Sequence, residues 1–345
     1  MLCHTIKMIE IDASHGGGQI IRTSLAMSTI TNQSFKATGI RKNRPKPGLK
    51  NQHLACIEAL EKLSGAKAKN ATPGLTEIEF LPGKIIPQTI SIDIGTAGSI
   101  TLLMQALLLP CCLADGKVRL KIIGGTDVKW SMSIDYFLNI ILPHYMQLAD
   151  FKINELTRGF YPKGQGLLDI TIKPKNKTMP KLALTKKLPF SKVKGISSAS
   201  QELREADVVA RQANAAKKKL QSLDVPIKII EEYTKSASVG TVITLWANTN
   251  PHVIGSDALG EVRKRAEAVG AEAGADLLYL LCSDAVVDTH LADNLIPLLG
   301  LFGGEILTDE ISGHIKSNIY TCKKFLGIKY DIDDRVISAQ NKDIK

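Results

Sequence analysis

The spacing of apolar and polar positions changes several times along the chain. Ile6 to Ile11 alternates as a strand does, three glycines follow at Gly16, Gly17 and Gly18, and Gln19 to Thr31 then carries Ile20, Leu25 and Ile30 at helical spacing. The same succession of strand, glycine turn and helix returns in Ile90 to Ile94, Gly95 to Gly98 and Ser99 to Leu113, which points to a repeated supersecondary unit. Strand-like Lys117 to Ile123 and Leu167 to Ile172 alternate with helical stretches starting near Asn51 and running from Ser133 to Ala149, a pattern of the α/β or α+β class. Further on, Ala199 to Leu220 is rich in helix formers, while Ile227 to Tyr233 and Gly240 to Ala247 are predicted strands. Leu259 to Asp276 and His290 to Leu301 are predicted helices, and Ile319 to Tyr330 opens a final helix or strand.

At 345 residues the chain is long enough for two domains, or for one large domain with an insertion. With 44% hydrophobic and 23% charged residues, it is neither disordered nor fibrous. The longest apolar stretch, Ile100 to Ala114, is broken by Thr101, Gln105 and Pro110 and falls short of the roughly 20 residues a bilayer demands, so no membrane association is expected. Met1 to Ile11 holds Lys7 and Glu10 and no apolar core of a secretory signal, which leads to a cytoplasmic expectation. Cys3, Cys56, Cys111, Cys112, Cys282 and Cys322 match no zinc or C-x-x-C spacing and are expected to be reduced and mostly buried.

The formal net charge is +10, and its distribution matters more than its size. Lys36 to Gln52 contains six basic residues and no acid, packed among Pro45, Pro47 and Gly48 directly before a predicted helix, where phosphates are commonly held. Thr171 to Ser200 contains eight lysines and no acid, but Pro174, Pro180 and Pro189 mark its Lys173 to Lys194 part as a solvated connection between domains. An inserted unit is therefore expected at about Thr185 to Arg265.

Glycine runs between a strand and a helix present backbone N–H groups to anions, although H-G-G-G-Q is neither a dinucleotide-binding fingerprint nor a P-loop. Arg22, one helical turn beyond Gly18, could face the same anion. Gly124 to Asp127, Arg158 to Gly166 and His290 to Asn294 add three more loops dense in glycine and polar residues. The blocks I-R-K-N-R-P-K-P-G-L-K-N-Q-H-L (Ile40 to Leu54), D-I-G-T-A-G-S-I-T (Asp93 to Thr101), G-G-T-D, R-G-F-Y-P-K-G-Q-G and H-L-A-D-N-L together resemble the RNA 3′-terminal phosphate cyclase family, in order and over roughly Ile9 to Leu326.

The resemblance implies a large domain of three repeated βαβαββ units, here 1–184 and 266–345, with a smaller inserted βαβαββ-like domain, 185–265. It also implies an ATP-dependent ligase in which a histidine takes AMP from ATP and passes it to an RNA 3′-phosphate. The neighbouring 2′-hydroxyl then closes a 2′,3′-cyclic phosphate and releases AMP. The matching histidine is His314, in S-G-H-I-K-S-N. By the same resemblance Gly17, Gly18, Gln105, Asp293 and Asn294 serve ATP, and Arg22, Arg41, Arg44, Gln52 and His53 serve the phosphates of ATP or the RNA end. His53, beside a helix, is equally readable as a core or capping residue.

Two departures from the family pattern stand out. His15 occupies the place of a glutamate that helps position a divalent metal, Mg²⁺ or Mn²⁺, which makes His15 the metal candidate; imidazole suits Mn²⁺ or Zn²⁺, so the change is expected to weaken magnesium use or shift the metal preference. Lys129, Trp130, Met132 and Ser133 replace a proline-rich segment that packs on adenine, so that Trp130 or Met132 would supply the apolar face. The alternative function is a non-catalytic cyclase-like protein that binds RNA in ribosome assembly; retention of His314, Arg41, Arg44 and Gln52 argues for the enzyme.

Overall fold

The computed structural model describes residues 8–249 and 252–340; Cys3 and the first two positions of the predicted strand Ile6 to Ile11 lie outside them. The first repeat runs β1 (Ile9–Asp12), α1 (Gln19–Thr31), β2 (Phe35–Thr38), α2 (Asn51–Ser64), β3 (Lys67–Lys69) and β4 (Ile78–Leu81). The second runs β5 (Thr89–Asp93), α3 (Ile100–Cys112), β6 (Val118–Gly124), α4 (Ile134–Tyr136), β7 (Ala149–Thr157) and β8 (Gly166–Pro174). A third starts with β9 (Leu182–Leu184) and is then interrupted by β10 (Val193–Ser200), α5 (Val208–Leu220), β11 (Ile227–Thr234), β12 (Thr241–Asn248), β13 (Val253–Leu259) and α6 (Ala266–Cys282). It resumes with α7 (Thr289–Phe302), β14 (Gly304–Leu307), α8 (Gly313–Leu326), β15 (Lys329–Asp333) and β16 (Val336–Gln340).

Three of the four sheets share one topology, β1-β2-β4-β3, β5-β6-β8-β7 and β9-β14-β16-β15. In each, the first two strands run parallel and the others join antiparallel. The fourth sheet, β11-β10-β12-β13, belongs to the interruption and shares a separate apolar core with α5 and α6, including Val193, Leu245, Val269, Ala273 and Leu277. One larger core serves the other three sheets. Within it α3 packs on α1, α2, β6 and β8, which is why the apolar run beginning at Ile100 has no solvent face. Each of its buried leucines contributes roughly 1.5–3 kcal/mol of transfer free energy.

The structure revises several sequence expectations, each time because tertiary pairing outweighs local propensity. Ala199 and Ser200 end β10, paired with Tyr233 and Thr234, and the helix expected from Ala199 starts only at Val208. Leu259 pairs with Val242 in β13, so the helix expected there starts at Ala266. The long helix expected over Ser133 to Ala149 is a short turn, α4, followed by a π-helical turn (Phe137–Ile141) and a 3₁₀ turn holding Pro143, before Ala149 enters β7. The lysine-rich connection contains β9, whose Leu182 and Leu184 are buried against β14. Within it Lys187 is no solvated charge, because its ammonium donates to the carbonyls of Leu280 and Leu281, at 2.7 and 2.9 Å, at the end of α6.

The second repeat and the interrupting unit are joined through Arg158. Its buried guanidinium meets Asp127 at 3.2 Å, Asp135 at 2.6 Å and, from β11, Glu232 at 2.7 Å. Burial works against that cation, but the three carboxylates outweigh it and raise its pKa, while burial pushes Asp135 up to about 6 despite Arg158. Replacing Arg158 with Met would strand two buried carboxylates. The expected loss is ~3–5 kcal/mol in urea unfolding at pH 7, partly recovered by adding Asp135→Asn; an unchanged midpoint would refute this account.

Candidate active site

The glycine run after β1 leads into α1, and the first residue of that helix, Gln19, donates through Nε2 to Asp293 Oδ1 on α7. Asn318, on α8, donates to the same oxygen at 2.7 Å and to the Asp293 carbonyl at 2.9 Å, and its own Oδ1 accepts from Thr23 at 2.6 Å. One oxygen of the buried Asp293 carboxylate is thereby occupied. The other, Oδ2, faces His314 Nδ1 at 3.7 Å.

His314 sits in the first turn of α8, which Ser312 caps by accepting from the Ile315 N–H. Its ring is 58% exposed, so a reactant can reach it. His314 and Asn318 are one helical turn apart, as are Gln19 and Thr23, which puts each pair on one face.

A second chain of bonds lies alongside. Arg22, buried, donates through Nε to Gln105 Oε1 at 2.8 Å, and Gln105 donates in turn to Asn294 Oδ1 at 3.1 Å. Burial lowers the pKa of Arg22 while the negative charges of its surroundings, Asp293 among them, act in the opposite sense. Gln105, Asn294, Asp293 and Asn318 rim a small cavity whose apolar wall includes Met104, Leu108, Phe137 and Tyr145. Neither Trp130 nor Met132 lines this cavity, and Trp130 projects into solvent on the loop after Asp127.

The basic loop before α2 comes to the same region. Gly18 must be glycine because a Cβ there would lie 2.0 Å from His53 Nε2, and a Cβ on Gly17 would lie 3.5 Å from Arg44 Nη2. Arg41 adopts a left-handed backbone, φ 54°, and its Nη1 is buried without a hydrogen-bond partner. Burial first, then the neighbouring Arg44, lowers the Arg41 pKa, as expected of cations gathered for an anion. Gln52 donates to the Ser99 carbonyl at 2.9 Å and so ties α2 to the second glycine turn. The first turns of α1, α2, α3 and α8 contain no acidic residue, leaving their positive ends uncompensated.

His53 has a structural job in this arrangement. It is buried, its Nδ1 accepts from the Lys50 N–H at 2.9 Å to close a capping box, and its ring lies on Gly18. His15 is 86% exposed, and its one acidic neighbour is Asp12 at 3.5 Å. Among the described residues no group of three His, Cys, Asp or Glu side chains is arranged to hold a metal. The donors present therefore do not form a protein-held metal centre. The cysteines Cys56, Cys111, Cys112, Cys282 and Cys322 are free, and all but Cys282 are buried.

Gln105, Asp293, Asn294, His314, Arg22 and the glycine run are thus brought into one bonded neighbourhood, with Arg41, Arg44 and Gln52 on its border. Gln19, Thr23 and Asn318 were missed as site residues, although the one-turn spacing of Asn318 from His314 signals them.

Fold and site define a three-repeat α/β protein whose cleft gathers unopposed helix N-termini, arginines and the exposed His314. A profile described as RTC, RNA 3′-terminal phosphate cyclase, matches residues 13–332. A protein named RNA 3′-terminal phosphate cyclase from Pyrococcus abyssi (strain GE5 / Orsay) is 45% identical over 334 residues, covering 95% of this chain and 96% of that one. Those of the same name from Archaeoglobus fulgidus and Methanosarcina barkeri are each 41% identical, covering 93% and 95% of this chain and 96% and 97% of their own. The chain belongs to the RNA 3′-terminal phosphate cyclase family.

The capping role of His53 has a pH signature. Burial, followed by the charges of Arg22, Arg41 and Lys50, lowers its pKa from 6.5 to about 3. A depressed pKa means that the unfolded chain binds the proton more readily. Its stabilisation is complete above pH 6.5 and is lost as pH falls towards 3, with a slope approaching ~1.4 kcal/mol per pH unit. His144, lowered to about 4 by burial, adds to this in an overlapping window. In urea melts from pH 7 to pH 4, His53→Gln is expected to lose less stability than the unaltered chain; parallel losses would show that His53 does not titrate in this way.

Proposed function

We propose that this protein is a ligase that uses ATP to convert an RNA 3′-phosphate into a 2′,3′-cyclic phosphate through a His314–AMP intermediate. The observation that carries this reading is the pairing of His314 Nδ1 with Asp293 Oδ2 at 3.7 Å, with the other Asp293 oxygen held by Gln19 and Asn318. Asp293 favours the tautomer with its proton on Nδ1, which leaves the Nε2 lone pair for attack.

Nε2 attacks the α-phosphorus of ATP and the bond to pyrophosphate breaks; the positive charge on the phosphorylated ring faces Asp293. An oxygen of the RNA 3′-phosphate then attacks the adenylyl phosphorus, and the P–N bond breaks and restores the lone pair. Finally the 2′-hydroxyl attacks the activated RNA phosphorus, its proton goes to solvent, and AMP leaves. Proximity on one ribose supplies much of the last rate.

In this reading the adenine occupies the cavity beside Gln105 and Asn294, and the triphosphate lies over Gly17, Gly18 and the N-terminus of α8. Arg41, Arg44 and Gln52 receive the RNA end, while His53 acts by shaping the glycine run. A divalent ion, Mg²⁺ or Mn²⁺, would arrive with the ATP phosphates and neutralise their charge, with Asp12 and His15, 3.5 Å apart, as the protein donors offered to it. The inserted domain, 185–265, is proposed to be completed by α6, with which it shares a core. No helix among the described residues is long and apolar enough to cross a membrane, and a cytoplasmic location is part of the proposal.

Incubation with α-labelled ATP and either metal, followed by denaturation, is expected to leave acid-labile label on the protein that His314→Ala abolishes. Absence of label with both metals would overturn the proposal and favour the RNA-binding alternative. Arg44→Ala is expected to weaken binding of a 3′-phosphorylated RNA more than replacement of the exposed Lys186; equal losses would remove Arg44 from the RNA end.

A further inference from the structure

Three of the most exposed large apolar side chains among the described residues are Val262 (94%), Trp130 (88%) and Tyr161 (74%). Each stands on a different loop, and the loops meet. Lys129 joins Glu261 at 3.1 Å, so the loop of Trp130 touches that of Val262. The Thr126 N–H donates to the Gly159 carbonyl at 2.9 Å and Asp127 forms a bridge with Phe160, so the loop of Trp130 also touches that of Tyr161. Lys163 N–H donates to Ser238 Oγ at 3.0 Å, and the Phe160 ring packs on Gly240, adding a fourth loop with exposed Val239.

These loops continue from the site. Gly164, at φ +69°, lies so close to the second glycine turn that a Cβ would be 2.8 Å from Ala97 Cα, and Gln52 is bonded to Ser99 at the end of that same turn. A path therefore runs from the proposed RNA-end residues, over Thr96 and Ala97, to Tyr161 and Trp130.

Charge selects the occupant. From β10 to the end of α6 the inserted unit carries 11 Lys plus Arg against 11 Asp plus Glu, so what matters is the local placement of cations at these loops rather than a net charge of the unit. Lys163, Lys235, Arg263 and Arg265 are exposed on or beside these loops, and Lys129 Nζ lies 5.8 Å from the centre of the Trp130 ring. Separated aromatics interleaved with cations suit alternating bases and phosphates, whereas a protein partner calls for a continuous apolar patch.

We propose that these four loops, at the seam between the second repeat and the inserted unit, form a ledge for the single-stranded RNA that precedes the 3′-phosphate, with Trp130 and Tyr161 stacking on bases. This rests on the cyclase reading for the identity of the RNA end, but it can fail separately from it. The ledge contributes affinity that grows with RNA length and is indifferent to sequence, since every base has a face to stack.

Tryptophan fluorescence reads the contact directly, because the other tryptophan, Trp246, is only 7% exposed. Without ATP, a 3′-phosphorylated RNA of about 12 nucleotides is expected to quench the emission and a dinucleotide to leave it unchanged. Trp130→Ala and Tyr161→Ala should each weaken the longer RNA roughly tenfold, with Trp130→Phe and Tyr161→Phe restoring most of it. Tyr161→Ala should change neither the dinucleotide affinity nor the labelling of His314 by ATP. Equal affinity for the two lengths, or an equal loss for both in the alanine variants, would overturn the ledge. Quenching that persists when no AMP adduct forms would sink the cyclase reading and leave the ledge standing; an adduct without length dependence would do the reverse.

Discussion

Everything in the cleft depends on holding one buried carboxylate, that of Asp293, in a single orientation. An ionised carboxylate in a protein interior is costly unless its lone pairs are satisfied. Here α1 supplies Gln19 and α8 supplies Asn318, so the first repeat and the third are fastened through a residue of α7. The same bonds that satisfy one oxygen determine what the other can do, which is to face the His314 imidazole. Stability and proposed chemistry thus share an atom-level constraint.

The repeated architecture explains why so many helix ends come to one place. Each repeat runs from a parallel strand into a helix, and the packing of α1 against α3 and α8 brings helices of all three repeats together. With no acidic side chain in the first turns of α1, α2, α3 and α8, the cleft acquires positive character from the backbone before any arginine is counted. Arg22, Arg41 and Arg44 add to a field that already exists. Burial first, and then the like charge of Arg44, lowers the Arg41 pKa, which is the cost of gathering cations for an anion.

Much of this was readable from the chain. Strong periodicity placed α1 and α3 almost to the residue, because in both the apolar pattern and the preceding glycine turn agree. Where composition and pairing conflict, sequence reasoning fails, as at Ala199, a helix former that serves as a strand residue opposite Tyr233. The long blocks of the RNA 3′-terminal phosphate cyclase family identified His314, which physical chemistry alone would have passed over as a surface histidine. The interlock of Gln19, Thr23 and Asn318 could not be read directly, since it joins residues nearly three hundred positions apart.

The position of the insertion also has a consequence for the order in which the molecule can assemble. β9 leaves the ribosome soon after the second repeat is finished, yet its parallel partner β14, aligned Leu182 to Gly304, is made only after the entire inserted unit. The first two repeats contain all the strands of their own sheets and can close as they emerge, while Leu182 and Leu184 must wait unpaired. Asp293 and His314 lie beyond that delay as well. Asp293, His314 and the Asn318 that holds Asp293 therefore meet Gln19 of the first repeat only after the inserted unit has been made.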